Sequence, residues 1–120
     1  MVVIRTGRIE FQSGTGSRTY TQMVYFPGQL IQHCSVGLNG YRVAYSSGDH
    51  ELRTIEVDLD CSQQKSEFGF GVAVAATLLL RDKNGDDPFE GWVDYVLFVE
   101  LHPQPANLDA KTVNVSVVIR

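Results

Sequence analysis

Apolar and polar residues alternate with a period of two along most of the chain, the spacing that sends successive side chains to opposite faces of a β-strand. The pattern is cleanest in Leu52 to Cys61, where Ile55, Val57, Leu59 and Cys61 alternate with Glu56, Asp58 and Asp60. One face of that strand is expected to meet a core and the other to meet water. Val2 to Phe11 is a β-branched alternating run, followed by the turn formers Ser13-Gly14-Thr15-Gly16-Ser17. Tyr20 to Phe26 sets Tyr20, Gln22, Val24 and Phe26 against Thr21, Met23 and Tyr25. Pro27-Gly28 stops that run, because proline cannot donate to a ladder. Ile31 to Leu38 and Tyr41 to Tyr45 are separated by Asn39-Gly40, which suits either a bulge within one strand or a tight hairpin turn between two. Ser46-Ser47-Gly48-Asp49 reads as a loop.

Two later runs have a different second face. Phe68, Phe70, Val72, Val74, Ala76, Leu78 and Leu80 share one side of a strand, while Gly69, Gly71, Ala73, Ala75 and Thr77 share the other. A surface strand needs polar residues outside, so this small-residue row predicts a close approach by another layer or subunit. Trp92 to Leu101 places Val93, Tyr95, Leu97, Val99 and Leu101 on one face and Trp92, Val96 and Phe98 on the other, and both faces are expected to be largely buried. His102-Pro103-Gln104-Pro105 ends it, a polar linker follows, and Thr112 to Ile119 is one more alternating strand. No window carries a 3.6-residue apolar stripe. The expected fold is an all-β antiparallel sandwich of six to seven strands, in one domain spanning residues 1–120. Apolarity on both faces of two strands further predicts a homo-oligomer.

Composition narrows the function classes. The chain has 120 residues, with 43% hydrophobic and 20% charged residues, which is ordinary for a folded domain. Ten Lys and Arg against fourteen Asp and Glu give a formal charge of -4. Duplex binding draws on a basic face, so nucleic acid is not an expected partner. No run approaches the roughly 18 or more apolar residues of a membrane-spanning helix. Arg5 and Arg8 interrupt any signal-peptide core, which leads to the expectation of a cytoplasmic, non-classically exported or already trimmed chain. The two cysteines, Cys34 and Cys61, lack the spacing of a structural zinc site. They read as strand residues with free thiols, a single disulfide being the alternative.

Three places could carry chemistry. Asp82, Asn84 and Asp86 match the first three ligand positions of an EF-hand-like calcium loop, with Asp87 as a further oxygen. The sixth position, Asp87, should be glycine, and the twelfth, Val93, should be a carboxylate, so a solvated hairpin loop is the competing reading. Asp49-His50-Glu51 with Arg53 is a second polar cluster, in and just after a loop. The planar donor fork of Arg53 suits vicinal hydroxyls or a carboxylate, and His50 can add one donor or acceptor. An exposed charged turn is the alternative there. Trp92, the sole tryptophan, is the candidate for stacking on a sugar face, or else for packing at a core or interface. No Gly-x-Ser-x-Gly elbow occurs, His33, His50 and His102 lie in no nucleophile signature, and the Ser13–Ser17 loop lacks the ending of a phosphate cradle. No enzyme is expected. Asn114-Val115-Ser116 is a formal glycosylation sequon within an expected strand.

Gly7-Arg8-Ile9, Val24-Tyr25-Phe26-Pro27, Val36-Gly37-Leu38-Asn39 and Leu52-Arg53-Thr54-Ile55 follow one another in this order. That order resembles the H-type lectins, the family of snail agglutinins and of the discoidin C-terminal domain. The resemblance covers residues 7–101 and leaves 112–119 as an additional C-terminal strand. It implies a six-stranded sandwich that trimerises, or forms hexamers, and binds galactose or N-acetylgalactosamine type glycans near subunit interfaces. It places Arg53 at the family's sugar-binding arginine. The family's aromatic and histidine pair would fall near Arg81 and Asp82, which do not match, and the first loop lacks the family's carboxylate. The expected ligand-binding residues are therefore Arg53, Asp49, His50, Asp82 and Trp92, with Asp82, Asn84, Asp86 and Asp87 as calcium ligands if a metal is used. The competing reading is a non-enzymatic structural or protein-interaction sandwich that serves as an oligomeric assembly component.

Overall fold

A computed structural model of the protein describes residues 1–46, 54–66, 69–81 and 87–103. Six strands, β1 (Val2–Gly14), β2 (Arg18–Tyr25), β3 (Ile31–Tyr45), β4 (Thr54–Ser66), β5 (Gly69–Arg81) and β6 (Phe89–Leu101), account for nearly all of them. They form two three-stranded antiparallel sheets, ordered β1-β6-β3 and β2-β5-β4. The sheets pack into a sandwich, as the alternation predicts, and there is no helix among the described residues. The Thr112–Ile119 strand lies outside the described residues.

The central strand of each sheet is the most apolar one. The inward residues Val72, Val74, Ala76 and Leu78 of β5 are fully buried, as are Phe89, Val93, Leu97 and Val99 of β6. The edge strands supply one-sided faces, with Val3, Ile9 and Phe11 of β1 buried and Val57, Leu59 and Cys61 of β4 packed against the same core. Burial of this apolar surface, at about 25 cal/mol per Å2, is the main force holding the sheets together.

Several element boundaries differ in detail from the sequence pattern. The first strand runs through Ser13 to Gly14, because β6 continues to pair beyond Phe11 across a bulge, Gly14 facing Phe89. Asn39-Gly40 is a bulge within one long strand, since the β6 ladder continues on both sides of it and only the register shifts between Leu38 and Gly40. The Pro27-Gly28 stop is a turn in which Gln29 N donates to Phe26 O at 3.2 Å. Gly28 sits there with φ of 73°, a value that L side chains adopt only at a cost. Strand β4 continues past Cys61 to Ser66, held by β5 through Ser62↔Ala73 to Ser66↔Gly69.

One glycine is set by packing. Gly7 lies opposite Tyr95 in the β1–β6 register, and the Tyr95 ring and hydroxyl occupy the space a Cβ would need. The Tyr95 hydroxyl crosses the sandwich and donates to Gln22 Oε1 on β2. Burial raises the pKa of that hydroxyl, which keeps it a donor.

Candidate functional site

The register of the second sheet determines what its outer face presents. Opposite the small residues of β5, β2 sets Thr21↔Ala75, Met23↔Ala73 and Tyr25↔Gly71. On the other side β4 sets Asp60↔Ala75, Ser62↔Ala73 and Gln64↔Gly71. A floor of alanines between two taller walls makes an open groove of about 550 Å3. Thr21, Met23 and Tyr25 form one wall, and Asp60, Ser62, Gln64 and Lys65 form the other. At one end Thr19 and Thr77 hydroxyls share a hydrogen bond of 2.6 Å. On the β4 wall, Gln64 Nε2 donates to Ser62 Oγ at 3.1 Å, and Asp60 Oδ1 accepts the Cys61 N–H at 3.0 Å. The first bond links two side chains along the wall, and the second holds Asp60 against its own strand.

The groove combines a flat apolar floor, a half-exposed tyrosine ring, hydroxyls, an amide, a carboxylate and an ammonium group. Such a lining suits a ligand with one apolar face and a rim of hydroxyls. It holds no nucleophile paired with a base. Among the described residues, no group of three or more His, Cys, Asp or Glu is placed to hold a metal.

Arg8, Trp92 and Asp94 form a second cluster, on the outer face of the first sheet. Arg8 Nε and Nη2 donate to Asp94 Oδ1 and Oδ2 at 2.7 and 3.0 Å. The same guanidinium lies 3.8 Å from the Trp92 ring centroid. One face of Trp92 is therefore already covered by a cation. The hydrogen-bonded Arg8 holds the Asp94 carboxyl below its ordinary range, and Asp94 in turn raises the pKa of Arg8. Further along that face Val2, Ile4, Val96 and Phe98 make an apolar patch beside Thr6 and Glu100, with Val2 53% and Phe98 40% exposed and Ile4 and Val96 half-buried. The second face of β6 is thus half open in the single chain, where the sequence pattern predicts burial.

Asp49, His50, Arg53, Asp82, Asn84 and Asp86 lie outside the described residues. Arg53 directly precedes Thr54, the first residue of β4, which pairs with Arg81 at the end of β5. Asp87 is half-buried ahead of β6. His33 faces Glu100 across the β3–β6 ladder, and His102 follows at the same end, its N–H donating to Leu30 O at 2.9 Å. Among the described residues, neither histidine side chain has a hydrogen bond to a serine or cysteine. The groove walls Thr21, Tyr25, Ser62, Gln64 and Lys65 carry no motif, but the Gly69–Thr77 row that forms the floor is legible as a face where something approaches the backbone.

Compared with family models, curated proteins and solved structures, the chain finds no significant match in any of the three.

Proposed function

We propose that the protein is a non-enzymatic carbohydrate-binding module, presented several times over by a homo-oligomer, a trimer or hexamer. The observation that carries this reading is the groove on the outer face of β2, β5 and β4, with its alanine floor, its Tyr25 ring and its wall of Asp60, Ser62, Gln64 and Lys65. A sugar ring offers the complementary surface, one apolar face and several hydroxyls. Galactose or N-acetylgalactosamine type glycans are the ligands implied by the H-type lectin resemblance, which also nominates Arg53, Asp49, His50, Asp82 and Trp92. Single weak sites gain avidity when an oligomer presents several copies to one surface.

A glycan-array screen of the labelled protein, with calcium and again with chelator, tests this directly. Selective binding to galactose-type epitopes is the expected result. Tyr25→Ala and Asp60→Asn then weaken it if the groove is the site, whereas Arg53→Ala weakens it if the loop end is. Loss of binding in chelator assigns a calcium role to Asp82, Asn84, Asp86 and Asp87. A blank array from a folded oligomer overturns the carbohydrate reading.

A second reading rests on the apolar patch of exposed Val2 and Phe98 with half-buried Ile4 and Val96. In it the sandwich is a structural or protein-interaction module whose work is assembly, and the blank array is the result it expects.

A further inference from the structure

Cys34 and Cys61 are distant in sequence and belong to different sheets. Cys34 is on β3, facing Val99 of β6, and Cys61 is on β4, facing Val74 of β5. Both side chains point to the core side and are half-buried free thiols. The edges of the two sheets meet along this seam, where Gln63 Nε2 of β4 donates to the backbone oxygen of Gln32 on β3 at 3.4 Å. Gln32 and Gln63 lie two residues to either side of the cysteines. The strands therefore run past each other in antiparallel register, and that register brings the thiols together. Cys34 is close enough to raise the pKa of the Cys61 thiol.

We propose that Cys34 and Cys61 are a redox pair that closes into an intersheet disulfide by exchange with a low-molecular-weight disulfide such as oxidised glutathione. Burial and the neighbouring Cys34 push the Cys61 thiol up to about 12. The first attack is written from Cys34, and the exchange balances in the same way if Cys61 begins it. The Cys34 thiolate attacks one sulfur of oxidised glutathione, breaking its S–S bond and releasing one glutathione thiolate. The product is a mixed disulfide at Cys34, which no longer carries a negative charge. That removes one of the causes holding the proton on Cys61. Cys61 then loses its proton and attacks the Cys34 sulfur, and the second glutathione leaves as thiolate. Two electrons pass from the cysteine pair to one glutathione disulfide, and the two cysteine protons end on two glutathione thiols. Cys61 also borders the groove next to Asp60 and Ser62, so closure ties one groove wall to the opposite sheet.

The test is to incubate the reduced full-length protein with oxidised glutathione at mildly alkaline pH, quench with acid, and map the products by mass spectrometry. The expected wild-type product is a chain lighter by two hydrogens, with a cross-linked Cys34–Cys61 peptide and no retained glutathione. In Cys61→Ser the reaction is expected to stop with one glutathione on Cys34. The wild-type map does not depend on that variant folding. Two thiols that stay titratable, a persistent adduct on each cysteine, or a disulfide joining two copies would each overturn the proposal.

Discussion

At the scale of single residues, position relative to water decides what each charge is worth. Arg8 and Asp94 are both close to solvent, with side-chain exposures of 47% and 23%, so their bidentate bond is screened and contributes little stability. Its sign is nevertheless definite. The Asp94 carboxyl is held below its ordinary value by the Arg8 hydrogen bond, so the native state releases this proton more readily than the unfolded chain does. The resulting stabilisation is present above the ordinary aspartate range near pH 4, and is lost as pH falls through the lowered native value. A carboxyl titration followed by NMR should place Asp94 below the ordinary aspartate value. Asp94→Asn should remove that share of the acid slope and leave Arg8 lying on Trp92. A native Asp94 titrating at or above the ordinary value would contradict the geometry.

At the scale of elements, the sandwich is closed along both seams by side chains rather than by ladders. On the β1–β2 side Arg18 crosses from β2 to the other sheet. Its Nη1 donates to Gln12 O at 2.5 Å, and its Nη2 to Gly14 O at 3.3 Å and Phe89 O at 2.9 Å. The guanidinium also lies 4.5 Å from the Phe89 ring centroid. Nearby, Phe11 stacks on Tyr20 with centroids 4.7 Å apart. Arg18→Met keeps the apolar stem but leaves three carbonyls without their shared donor. It should lower stability by roughly 2–3 kcal/mol, read from the midpoint of chemical denaturation at unchanged slope. An effect below about 0.5 kcal/mol, the range of ordinary surface substitutions, would show that water replaces the clamp. On the β3–β4 side the corresponding tie is Gln63 Nε2 donating to Gln32 O at 3.4 Å, beside Cys34 and Cys61. There a covalent bond would constrain the unfolded chain by roughly 3–4 kcal/mol for a loop of this length.

At the scale of the whole molecule, the described chain is an elongated body of about 63 × 24 × 18 Å. It has two contrasting broad faces. One carries the groove, and the other carries Val2, Ile4, Val96 and Phe98 beside the Arg8–Trp92–Asp94 cluster. An apolar patch centred on an exposed phenylalanine of a central strand is a candidate self-association surface. Phe98→Lys should therefore shift the protein to monomers in size-exclusion chromatography with light scattering, while far-UV circular dichroism remains that of a β-sandwich. A wild-type protein that is already monomeric at high concentration would remove both the oligomer and the avidity it offers.

The two-residue period by itself determined the fold class and the core-facing rows of β4, β5 and β6, and Pro27-Gly28 marked the end of β2, because each depends on local geometry. Alternation says nothing about which strands become neighbours. Only the tertiary structure placed β6 between β1 and β3, and that continuous ladder made Asn39-Gly40 a bulge rather than a turn. The same long-range pairing assembled the groove, since Thr21, Ala75 and Asp60 are scattered along the chain and meet only through register. It also brought Cys34 to Cys61, on strands whose individual patterns hold no trace of the other. The residues nominated by loop chemistry, Asp49, His50, Arg53 and Asp82, lie outside the described residues. Strand identity is written in neighbouring residues, whereas partner choice follows from how two apolar sheets bury each other.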